Sequence, residues 1–124
     1  MLEEGRTWAV VGLSGDPSRT AWSIASFLQR HGKRIVPVHP LAPVVLGEQG
    51  YATLADIPFP VDVVDVFRRS EFAGEFADQA VDVGAKGVWF QMGVVDTEAF
   101  RRTTDAGVRM VMDVCPKVEL PRLR

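Results

Sequence analysis

Apolar positions in this chain follow two alternating rhythms. The first is a set of short, nearly continuous runs: "TWAVVGL" (Thr7–Leu13), "RIVPV" (Arg34–Val38), "VDVVDVF" (Val61–Phe67), "KGVWFQ" (Lys86–Gln91) and "VRMVMD" (Val108–Asp113). Runs of this length, rich in β-branched and aromatic residues, read as strands buried on both faces of a parallel sheet.

The second rhythm is helical and fills the gaps. Ala21, Ile24, Ala25 and Leu28 fall at i, i+3, i+4 and i+7, which predicts a helix from Ser18 as N-cap to about His31, stopped by Gly32. Phe72, Ala73, Phe76, Ala77 and Ala80 predict a second helix, capped by Ser70 and ended by Gly84. A third is predicted from about Asp96 to Ala106, with Ala99, Phe100 and Thr103 inward and Gly107 as its stop. The stretch His39–Pro60 breaks the pattern with four prolines and two glycines, and reads as a wandering crossover with one helical turn near Thr53–Ile57. Strands alternating with helices predict an α/β class: a doubly wound parallel sheet of about five strands in three α/β/α layers.

Length supports one domain over residues 1–124, with a core over about 7–119. A hydrophobic content of 47% and a charged content of 24% suit a soluble globular protein. The net charge of -2 gives no reason to expect nucleic acid or an anionic membrane as partner, so any anion site must be local. No apolar run is long enough to span a bilayer, and "MLEEGRTW" has no secretory pattern, so a cytoplasmic location is expected. The lone Cys115 excludes an internal disulfide and a zinc site of several thiolates.

In doubly wound sheets, ligands bind beyond the carboxyl ends of the strands. The first such end is the turn "GLSGDPSR", where Gly12 and Gly15 let the backbone approach a ligand. The helix N-terminus that follows favours phosphate, with Ser14, Ser18 and Arg19 as added donors. Asp16 is expected to turn its carboxylate away or to cap the helix. The second strand ends in Val38-His39-Pro40, the third in Phe67-Arg68-Arg69 and the fourth in Gln91-Met92-Gly93. Two arginines at the third end suit a further phosphate. NAD is disfavoured, because no acidic residue lies between Pro17 and Gly47 to accept bonds from the ribose hydroxyls. His31 and His39 have no carboxylate or nucleophile partner legible in the sequence, and no catalytic or metal-ligand spacing stands out.

Four blocks, "VVGLSGDPSRTAWSIASFLQRHGKRIVPVHP", "GEQGYATLADIPFPVDVVDVFRRSE", "GAKGVWFQMG" and "AGVRMVMDVCPKVE", resemble the stand-alone CoA-binding domain family. That family is similar to the N-terminal domain of the succinyl-CoA synthetase α subunit, and the resemblance covers about Thr7 to Glu119. It implies a Rossmann-like fold that binds coenzyme A or an acyl-CoA. Gly12, Ser14, Gly15, Asp16, Ser18 and Arg19 would then meet the CoA phosphates, and Val38, His39 and Pro40 would border the nucleotide end. Phe67, Arg68 and Arg69 would line the same cleft, and Gln91 and Gly93 would face the pantetheine arm. The chain lacks the synthetase's second domain with its phosphorylated histidine, so ligase chemistry is not implied. It also has Val114-Cys115-Pro116-Lys117 where the family often has Arg-Cys.

The resulting expectation is a small CoA-binding or regulatory module without catalytic groups of its own, a monomer or weak dimer whose protein partners are not legible. The alternatives are an NADP-binding redox enzyme or sensor and an interaction subunit docking through the long crossover.

Overall fold

The computed structural model describes residues 5–113. Its strands are β1 (Thr7–Val11), β2 (Arg34–Val38), β3 (Val63–Val66), β4 (Gly87–Phe90) and β5 (Arg109–Val111). Its helices are α1 (Thr20–Arg30), α2 (Ser70–Asp82) and α3 (Thr97–Asp105), with a short 3-10 turn at Leu54–Asp56. All five strands are parallel, in the order β2-β1-β3-β4-β5. This is a Rossmann-like doubly wound sheet. The chain reverses its winding between β1 and β3, so the connections leaving these neighbours run to opposite faces and open a crevice between them.

Register makes that edge level. Val11 lies opposite Val38 on one side and Val66 on the other, and Val66 lies opposite Phe90. The observed strands stop short of the apolar runs, because residues such as Gly12 and Phe67 leave the ladder and turn into the crevice.

Alternation along the strands divides the core into two layers. Trp8, Val10, Val63 and Trp89 pack against Ala21, Ile24, Ala25, Phe27 and Leu28 of α1. Ala9, Val11, Val64, Val66, Val88 and Phe90 pack against Ala73, Ala77 and Ala80 of α2 and Ala99 of α3. Leu28 and Phe90 are fully buried; side chains of this size contribute about 1.5–3 kcal/mol each. Small residues let the helices sit close: a methyl at Gly74 would lie 2.6 Å from Asp96 Oδ2 and 3.4 Å from Ala99 Cβ.

Two expected inward residues face outward. Phe72 is 46% exposed and Phe100 38%, whereas the small neighbours Ala73 and Ala99 are fully buried and take the core-facing positions. Helix α3 is capped by Asp96, whose Oδ1 accepts from the Ala99 amide. The crossover after β2 is pinned by backbone bonds: Tyr51 donates to Pro37 O and His39 donates to Tyr51 O. Val45 and Leu46 from this crossover pack under the α1 face, whereas Leu41 and Val44 are exposed.

Candidate functional site

Three strand ends converge at Gly12. Its φ of +94° is one that only glycine adopts without strain, and a methyl there would lie 2.9 Å from the Phe67 carbonyl oxygen. Its N–H donates to Val38 O at 2.8 Å, and Phe67 N–H donates to Val11 O at 3.0 Å. The turn therefore ties β2, β1 and β3 together at the switch point.

Beyond Gly12 the turn is organised by Asp16. Its Oδ1 accepts from the Ser18 hydroxyl at 2.7 Å and the Ser18 amide at 3.0 Å. Its Oδ2 lies 3.8 Å from Arg19 Nε. The Ser18 hydroxyl and amide, with Arg19 behind them, hold this carboxyl below the usual carboxylate range. Ser18 is therefore not the helix cap. Helix α1 begins at Thr20, its N-cap is Arg19, and no side chain caps it. Among the described residues no side chain caps this end, and an uncapped helix N-terminus with its positive dipole end is how an anion is received.

A cleft opens over this turn in two adjoining lobes. One, of about 430 Å³, is lined by Gly12, Ser14, Ser18, Arg19, Thr20, Ala21, His39, Phe67 and Arg68. The other, of about 350 Å³, is lined by Thr20, Phe67, Arg68, Gln91, Met92 and Val94. Thr20, Phe67 and Arg68 belong to both, so Arg68 stands at the junction. Its guanidinium carbon lies 5.8 Å from the Phe72 ring centre. Arg69 lines a side recess with Phe67, Arg68 and Phe72, and its guanidinium lies 3.8 Å from Glu71.

Of the residues expected at the site, Gly15, Asp16, Val38, Pro40, Arg69 and Gly93 lie outside the lining of these two lobes. Val38 is buried at the end of β2, with its carbonyl given to Gly12. Gly93 has a φ of +87°; its N–H donates to Asp113 Oδ1 and its carbonyl accepts from Ser70 Oγ. Ser70 was expected to cap α2, but that cap is Arg69. Ser70 Oγ accepts from Val95 N at 2.9 Å and donates to Gly93, so it staples the loop after β4. His39 Nδ1 accepts from the Leu41 amide, which fixes the ring at the mouth of the first lobe. Cys115 and Lys117 lie outside the described residues.

Thr20, Ala21, Met92 and Val94 also line the cleft, beyond the expected residues, and Asp65 reaches it through Gln91. Asp65 is fully buried in the middle of β3, where Gln91 Nε2 donates to its Oδ1 at 2.5 Å. Burial pushes the Asp65 carboxyl up to about 8, with the Gln91 bond opposing. An acidic residue inside an otherwise apolar strand was the available signal. Among the described residues, no group of three or more His, Cys, Asp or Glu could hold a metal ion, and no helix is long and apolar enough to cross a membrane.

Comparison with known proteins follows the same outline. The chain is 36% identical to the uncharacterized protein YneT of Bacillus subtilis over 95% of its own length and 87% of that protein. It superposes on a hypothetical protein from Pyrococcus horikoshii OT3 with a TM-score of 0.93 at 36% identity, covering 98% of this chain and 86% of that one. It is 28% identical, over 82% of its length, to subunit alpha of acetate–CoA ligase (ADP-forming) II from Pyrococcus furiosus, of which it spans 21%. A family described as CoA binding domain matches residues 6–121. The chain belongs to this CoA binding domain family.

Proposed function

We propose that the cleft binds coenzyme A or an acyl-CoA, and that the chain is a binding or regulatory module with no chemistry of its own. The observation that carries this reading is the uncapped N-terminus of α1 opening onto a lobe that also holds Arg19, Arg68, Ser14 and Ser18. Phosphate meets backbone N–H groups, hydroxyls and guanidinium there, which is the donor set a diphosphate needs. The adjoining lobe, lined by Phe67, Met92 and Val94 with one amide from Gln91, suits an uncharged, mostly apolar arm.

Family membership supports CoA over other nucleotides, as does the absence of an acidic residue from Pro17 to Gly47. The match to a protein named as an acetate–CoA ligase subunit supports the ligand; at 21% of that subunit's length it does not extend to ligation. A small soluble chain of this kind is expected in the cytoplasm.

Calorimetric titration tests the reading. CoA should bind more tightly than dephospho-CoA, NAD or NADP, and added salt should weaken it, since the contacts are charged and partly exposed. Equal affinity for CoA and dephospho-CoA would remove the arginine roles. Preference for NADP would replace the reading with a redox one.

A further inference from the structure

Asp65 is an expensive residue in its position. Along β3 it alternates with Val64 and Val66, so it projects with Val63 toward the α1 face. Its register partners there are Val10 and Trp89, both buried. Gln91 is its one hydrogen-bond partner among the described residues, and its Oδ2 has none. A valine would fill this strand position without desolvating a polar group. The single contact the acid does make leads to a residue of the cleft.

Gln91 is 5% exposed and follows β4 directly, at the floor of the second lobe. Its amide nitrogen is committed to Asp65. The carbonyl Oε1 is the side-chain atom that this bond leaves uncommitted, on a residue that lines the lobe. We propose that Asp65 is a positioning residue that locks the Gln91 side chain, so that Oε1 stands in the second lobe as a fixed acceptor for a secondary amide N–H of the ligand. This rests on the reading of the cleft as a CoA site, because the pantetheine arm carries such amides. Burial keeps Asp65 in its neutral acid form at neutral pH, so the lock brings no charge to an apolar lobe. Preorganising the acceptor removes the cost of ordering a free glutamine when the arm binds.

The test titrates the full chain with CoA and with adenosine 3′,5′-bisphosphate, which carries the nucleotide end and no arm. Asp65→Val and Gln91→Leu should each weaken CoA about five- to tenfold and leave the bisphosphate unchanged. Asp65→Asn, which keeps an acceptor for Gln91 Nε2, should bind CoA like wild type, and the double variant should be no weaker than Gln91→Leu alone. Asp65→Val binding CoA as tightly as wild type, or losing both ligands equally, would overturn the proposal while the CoA reading stands. Wild-type protein that binds neither ligand would overturn the CoA reading and the proposal with it. Should Asp65→Val not fold, the side-chain amide protons of Gln91 in the wild-type NMR spectrum decide. One slowly exchanging, downfield proton supports the lock; two freely exchanging protons refute it.

Discussion

Gly12 sits so close to the end of β3 that a methyl group on it would lie 2.9 Å from the carbonyl oxygen of Phe67. The neighbour is backbone and cannot swing aside, and the φ of +94° is already costly for any residue with a Cβ. Gly12→Ala should therefore destabilise the fold by about 1–3 kcal/mol. It should also weaken ligand binding, because the same turn carries the lining of the first lobe. Chemical denaturation checks the first part; an unchanged midpoint would show that the turn has room that its geometry denies.

Arg68 lines both lobes, whereas Arg69 lies in a side recess beside Glu71. Arg68→Ala should weaken CoA about tenfold or more, since a charged hydrogen bond to phosphate is lost. Arg69→Ala should have a clearly smaller effect. The reverse order in a calorimetric titration would move the phosphate site away from the junction of the lobes.

Thr103 is fully buried on α3, and its Oγ1 has no hydrogen-bond partner among the described residues. Valine has nearly the same shape without the hydroxyl. Thr103→Val should stabilise the protein by about 0.5–2 kcal/mol, because an unsatisfied buried group is removed without opening a cavity. A loss of stability on denaturation would mean that the hydroxyl is satisfied in solution.

Asp65 should leave a pH signature in stability. Its carboxyl titrates at 3.8 when unperturbed and at about 8 in the fold, so the folded state holds the proton more tightly. Ionising it works against folding, and that penalty grows as pH rises from about 4 to about 8 and then levels off. Asp62 acts in the opposite sense: burial pushes it up, but the Thr7 and Arg6 amides and Lys86 outweigh this and hold it below 3.8. Its stabilisation is present at neutral pH and is lost as pH falls. Comparing wild type with Asp65→Asn cancels the Asp62 contribution. The variant's advantage should widen by up to about 1.4 kcal/mol per pH unit between about pH 4 and about pH 8. A gap that stays constant across the range would show that Asp65 does not titrate there.

These residues also show where the sequence was readable. The strand at Arg34–Val38 is found where the apolar run places it, because charge bounds it before and His-Pro after. The inward stripe of α1 is the predicted Ala21, Ile24, Ala25 and Leu28, with Phe27 added. The start of that helix was misread for a physical reason: Asp16 and Ser18 are both capping residues, and Asp16 bonds Ser18 two positions on instead of letting it cap. Gln91 was expected at the site, but its tie to Asp65 escaped notice because the pair crosses neighbouring strands, 26 positions apart in sequence. The order β2-β1-β3-β4-β5, which brings Arg68 beside the first turn, is likewise a long-range fact. Local patterning gave the pieces of the cleft, and the sheet order shows which of them meet.

In the proposed complex, CoA lies across the uncapped end of α1 and the end of β3. Titrating CoA into isotopically labelled protein and following backbone amide resonances tests it most directly. Binding there should give saturable shifts at Ser14, Thr20, Ala21, Phe67, Arg68 and Gln91, with little change at Thr53, Gln79 and Asp82 in the recess elsewhere on the surface. No shifts at saturating CoA, or shifts centred on Thr53, Gln79 and Asp82, would contradict it.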